Sequence, residues 1–124
     1  MTRVRRSEAC DTSPEAQRAE AIALALMGAG EMPDIWLAEN VVWDGPHGAV
    51  TGRAAIMGLR DETPVPEAVT LDEIVTHGKA GAVSGRITRA GAAPRLFCHM
   101  IRYTTAKGAE IAHLVTFEHA GPKR

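Results

Sequence analysis

The chain has 124 residues, of which 45% are apolar and 23% charged, and its formal charge is −1. That length suits one domain able to bury its own core, and the near-neutral balance lacks the basic excess that binding to a phosphate backbone needs. No apolar run reaches the roughly 18 residues of a membrane span, and Cys10 and Cys98 make no disulfide framework. A cytoplasmic domain with free thiols and no nucleic-acid or membrane partner is expected.

In chain order, residues 1–12 carry Arg3, Arg5 and Arg6, followed at once by Glu8 and Asp11, and read as a loosely attached, solvated arm. Thr12-Ser-Pro-Glu15 offers a helix start near Ser13, with proline early in the first turn where its missing N–H costs nothing. Ala16, Ala19, Ile22, Ala23, Leu26 and Met27 then recur at helical spacing, and Gly28-Ala-Gly30 ends the pattern. Residues 33–38 predict a short second helix closed by Asn40, leading into the strand Val41-Val-Trp43 and the loop Asp44-Gly-Pro-His-Gly48. Residues 52–60 predict a third helix with Thr51 as N-cap, stopped by Pro64 and Pro66.

The remainder predicts strands over 68–77, 82–88, 95–103 and 110–118, joined by glycine-bearing turns, with Gly85 marking a bulge or bend. Helices first and strands after predict an α+β fold: three N-terminal helices packed on a curved, mostly antiparallel sheet. Residues 13–119 form that single domain, and 120–124 a tail.

The last two strands hold apolar residues on both faces and a histidine in the middle of each, so both faces should be covered. If Lys107-Gly108 is a two-residue turn, His99 faces Thr116 and His113 faces Arg102, which puts the histidines on opposite faces. A three-residue turn would instead bring His113 in beside His99. On the first register Phe97, His99, Ile101, Leu114 and Thr116 face the helices. Cys98, Met100, Val115 and Phe117 then form an outer side too apolar for open water, which predicts a homodimer through that face, with Arg86 and Arg102 in its ion pairs. This register also keeps His99, His113 and His119 from gathering, and no metal site is expected.

The order of elements resembles the cone of the nuclear transport factor 2-like superfamily across residues 13–119. Trp36-Leu-Ala-Glu-Asn-Val-Val-Trp-Asp44 followed by Thr51-Gly-Arg-Ala-Ala-Ile56 is similar to that family's aspartate loop and following helix. Ile74-Val-Thr-His-Gly78 and Phe97-Cys-His-Met-Ile-Arg-Tyr103 resemble its SnoaL-like and ketosteroid-isomerase-like branch. The resemblance implies a pocket for a small hydrophobic or carbonyl-bearing molecule, with Val83, Gly85 and Ile87 joining its wall. It places Asp44 at the isomerase's general base and His99 at the protonated acid of its oxyanion hole. Ala23 or Leu24 stands where the isomerase has tyrosine, so steroid isomerisation by that machinery is not expected.

The residues themselves allow chemistry of this kind. An aspartate partly desolvated beside Trp43 becomes a better base for a carbon acid, and a neutral imidazole can polarise a carbonyl. Trp36 and Trp43 would roof the pocket, and His47 would close over it. Two readings stay open: cofactor-free proton transfer of isomerase, lyase or hydrolase type, which needs Asp44 and His99 in one cavity, and a non-catalytic small-molecule-binding or protein-association module.

Overall fold

The computed structural model of the chain describes residues 2–8, 10, 12–105 and 110–120. Its elements in order are β1 (Arg3–Arg6), α1 (Pro14–Leu26), a single 3-10 turn (Asp34–Trp36), β2 (Leu37–Gly45), β3 (Gly48–Thr51), α2 (Arg53–Asp61), β4 (Ala68–His77), β5 (Ala80–Thr88), β6 (Arg95–Tyr103) and β7 (Ile111–Ala120). All strands join one seven-stranded sheet in the order β1-β4-β5-β6-β7-β2-β3, parallel only at β1/β4 and β2/β7. The α+β class and segregated helices agree with the sequence reading, but among the described residues there are two α-helices rather than three.

The expected second helix fails because it spans a boundary. Pro33 starts only a 3-10 turn, and Leu37 and Ala38 are already buried at the head of β2. Arg3–Arg6, expected as part of a loose arm, is instead the edge strand β1, paired from Arg3 with Ala68 to Arg6 with Leu71. Val4 turns toward the core while Arg6 bonds both carboxylate oxygens of Glu20 on α1. The exposed Arg3 and Arg5 sit on an open edge, where charge discourages further pairing.

α1 begins as its sequence predicts: Ser13 caps it by accepting from the Ala16 N–H at 3.1 Å, with Pro14 in the first turn. Gly28 follows its end at φ +82°, where a side chain would also meet the Pro64 carbonyl. The buried stripe Ala16, Ala19, Ile22, Ala23 and Leu26 is rich in alanine, which lets the helix lie against β4 and β5. Gly52, not Thr51, occupies the N-cap position of α2, at φ +100° and without a side-chain cap. From α2 only Ile56 is fully buried.

Two bulges set which residues face the helices. On β4, Leu71 faces Gly85 and Glu73 faces Ser84, leaving Asp72 as the extra residue, so Val69, Leu71 and Ile74 all point inward. The bend expected at Gly85 therefore sits on the opposing strand. On β7 the extra residue is Ala112: Tyr103 faces Ile111, whereas Arg102 faces His113 and the register then holds to Arg95 and Ala120. The pairings expected for the hairpin, His99 with Thr116 and Arg102 with His113, are present. The Lys107-Gly108 turn invoked to reach them lies outside the described residues.

A Cβ built on Gly85 would lie 1.9 Å from the Thr70 carbonyl oxygen, whereas one on Gly81 would meet nothing nearer than 3.7 Å. Gly85→Ala is expected to lower unfolding free energy by about 3 kcal/mol and Gly81→Ala by less than about 1 kcal/mol, read from urea denaturation.

Candidate functional site

Period-two alternation places Phe97, His99 and Ile101 of β6 on the inner face, beside Val83 of β5 and Leu114 and Thr116 of β7. Val83, His99 and Thr116 are successive cross-strand neighbours, and Trp43 of β2 lies beside Leu114 in the next strand. The six inner-face residues on β5, β6 and β7 and the Trp43 ring are thus brought together by one stretch of sheet. Trp36 is not among them: it lies at the other end of β2, where the Arg18 guanidinium packs 4.6 Å from its ring centre and 5.9 Å from that of Tyr103.

A chain of polar contacts crosses this apolar face. Trp43 Nε1 donates to Thr116 Oγ1 at 2.9 Å, and Thr116 Oγ1 lies 2.8 Å from His99 Nδ1. The Phe97 ring packs against the imidazole with centres 5.3 Å apart. His99 is only 2% exposed, and its Nε2 has no hydrogen-bond partner among the described residues. Burial pushes this imidazole down to about 4, with the negative charge of Glu118 opposing the shift only weakly, so His99 is neutral near pH 7.

Asp44 does not join His99. β2 continues through Asp44 to Gly45, so the inward Trp43 is followed by an outward Asp44. There the carboxylate accepts from His113 Nε2 at 2.7 Å across the β2/β7 pair, with the two side chains 48% and 42% exposed. The sheet separates Asp44 from His99, and the cavity shared by the two that catalysis was expected to use is not formed by these residues. His113 stays on the outer face with Arg102, and His99, His113 and His119 are not gathered around one point.

Next to Asp44 the pairing of β2 with β7 ends, and the sheet opens into a notch of about 340 Å³ lined by Asp44, Gly45, Pro46, Val115, Thr116, Phe117 and Glu118. His47, exposed in the tight β2–β3 turn, holds its ring edge-on to Trp43 at 4.4 Å and donates from Nδ1 to the Gly48 carbonyl. The notch reaches Thr116, which is one hydrogen bond from His99.

Sequence reasoning missed the ion cluster beside it. Glu118 receives both Arg89 amines at 2.6 and 3.0 Å and Arg95 Nε at 2.9 Å. The Arg89 hydrogen bonds, reinforced by Arg95, hold its carboxyl below the usual carboxylate range against the opposing effect of burial. The available signal was alternation, since Glu118 follows Thr116 by two along β7. Arg86, expected in interface ion pairs, pairs within the chain with Asp72 at 3.3 Å.

No protein-family model matches the sequence, and no curated protein is significantly similar to it. Solved structures do resemble it. An NTF2-like protein of unknown function from Burkholderia xenovorans superposes with a TM-score of 0.68 at 15% identity, covering 89% of this chain and 88% of that one. A candidate ketosteroid isomerase from Kribbella flavida gives a TM-score of 0.60 at 19% identity over 86% of this chain and 78% of that one. A de novo designed protein with a curved β-sheet gives 0.62 at 14% identity over 85% and 86%. The fold is therefore NTF2-like, and a fold by itself does not fix an activity.

His99 also makes stability depend on pH. Its folded pKa of about 4 lies below the usual 6.5, so the unfolded chain binds the extra proton between those values. Stability from this group is complete above pH 6.5 and is lost as pH falls toward 4, by about 3 kcal/mol in all. Chemical denaturation across pH 4–7 should show this slope in the wild-type protein and its absence in His99→Phe.

Proposed function

We propose that the protein binds a small, largely apolar organic molecule on the inner face of the sheet, with His99 as its polar anchor. The observation that carries this reading is the bare Nε2 of a fully buried, neutral histidine. Buried polar atoms are nearly always partnered, and one left open inside an apolar wall is a place for a ligand's single polar group. Val83, Phe97, Ile101 and Leu114 would supply the apolar contact, and the notch at Thr116 the approach.

The position of Asp44 favours binding over proton transfer. A general base must reach the proton it removes directly or through one water, and Asp44 lies on the other face, engaged by His113. The carboxylate on the inner face, Glu118, is held by Arg89 and Arg95, so the carbonyl-polarising half of the isomerase arrangement stands without a free proton-abstracting half. Titration of labelled protein with 1-indanone, followed by amide shifts, tests this. His99→Phe should weaken binding about tenfold, whereas Asp44→Asn should leave it within about twofold. No response from the inner-face residues to this or other small ketones retires the reading.

A second reading concerns the convex face and is favoured by Val75, Met100 and Phe117, which are 54%, 49% and 57% exposed there. Together with Ala82, Cys98 and Val115 they form an apolar band from β4 through β5 and β6 to β7, rimmed by Arg102 and the Asp44–His113 pair. This band would join two copies of the chain, as an isologous interface with an apolar centre and polar rim. Sedimentation should find a dimer that Met100→Glu and Phe117→Glu convert to a folded monomer.

A further inference from the structure

We infer that Trp43 and Thr116 lock His99 in the form that carries its proton on Nε2, so that the site accepts a hydrogen-bond acceptor and refuses a donor. The inference rests on the proposed ligand site and names the chemistry of its ligand. It follows from counting donors and acceptors along three side chains. The indole of Trp43 can only donate, and it donates to Thr116 Oγ1. The Thr116 hydroxyl still has its own proton, and its other hydrogen-bond contact among the described residues is His99 Nδ1 at 2.8 Å.

Two arrangements are open to a neutral imidazole. If Thr116 donates to Nδ1, the indole, hydroxyl and ring nitrogen form one directed series, and the only atom left bare is a protonated Nε2. If Nδ1 carries the proton and donates to Thr116, the hydroxyl accepts twice, its own proton has no acceptor among the described residues, and Nε2 is bare as well. One buried orphan is less costly than two, and the first arrangement also aligns every dipole in the series. The charged imidazolium is not a competitor near pH 7, because burial holds His99 neutral there.

Thr116 and Trp43 are thus positioning residues that act through His99. The donor they present suits a ketone, aldehyde or ester oxygen, and it meets the N–H of an amine or pyrrole with donor against donor. A site built around one fixed donor discriminates strongly, since the wrong group leaves both partners unpaired.

The test uses the full chain with nitrogen-labelled histidine and two probes of similar ring size, cyclopentanone as acceptor and pyrrole as donor. Long-range proton–nitrogen spectra at pH 7 should show His99 with a protonated Nε2 and an unprotonated Nδ1. Thr116→Val should erase that preference and Thr116→Ser should keep it, which separates the hydrogen bond from packing. Cyclopentanone should perturb Nε2 and bind about tenfold more tightly than pyrrole. A proton on Nδ1 in the wild-type protein overturns the inference while leaving the binding reading intact. A protonated Nε2 that neither ring perturbs, or that holds only a buried water, overturns the ligand reading and the selectivity with it.

Discussion

The pairing of His99 with Thr116 across β6 and β7 is the contact on which the functional geometry rests. A strand turns alternate side chains to opposite faces, so one fixed pair determines the facing of every neighbour on both strands. From it follow Phe97, Ile101 and Leu114 inside, and Met100, Val115, Phe117 and His113 outside. A slip by one residue would bury Met100 and Arg102 and carry His99 into water. The register is thus held by the burial of the whole inner row, and the polar chain through Trp43 is built upon it.

Curvature is the second constraint, and it depends on atoms rather than composition. Asp72 is squeezed out of the β4 ladder, and the opposite strand passes so close to Thr70 that only glycine fits at position 85. The bend lets the short, alanine-rich stripe of α1 reach the sheet. On β7 the Ala112 bulge does similar work, allowing Ile111 and Leu114 to face the core from either side of it. Both bulges keep the apolar pattern inward where unbroken alternation would have sent part of it outward.

Much of this was legible from residues alone, for identifiable reasons. β4 carries β-branched and apolar residues interleaved with polar ones, β6 a nearly continuous apolar run, and both are bounded by Pro66, Gly78, Pro94 and the following polar turn, so their limits agree with expectation. β1 was hidden because three of its four residues are arginine, and its pairing with β4 is a contact about 65 residues distant in sequence. The short helix expected at 33–38 was misleading because six residues with apolar content fit a helical turn and a strand head equally well. Contacts such as the Glu118–Arg89 ion pair, or the Asp44–His113 hydrogen bond, join segments that sequence does not show to be adjacent. The facing of Asp44 was within reach, since Trp43 directly before it is a large ring that belongs inside.

That parity makes two designs mutually exclusive on this strand. Bringing Asp44 inward requires β2 to shift by one residue, which would turn Trp43 outward and remove the indole N–H from Thr116. The outward carboxylate loses little, because a half-exposed pair with His113 is worth only a modest part of a kcal/mol and either group can still reach water. The inward indole gains more, covering apolar surface while satisfying a buried hydroxyl that would otherwise compete with His99 for protons. The inner face beside His99 thus carries the indole, hydroxyl and imidazole in series, with the Glu118 carboxylate at its end tied to Arg89 and Arg95.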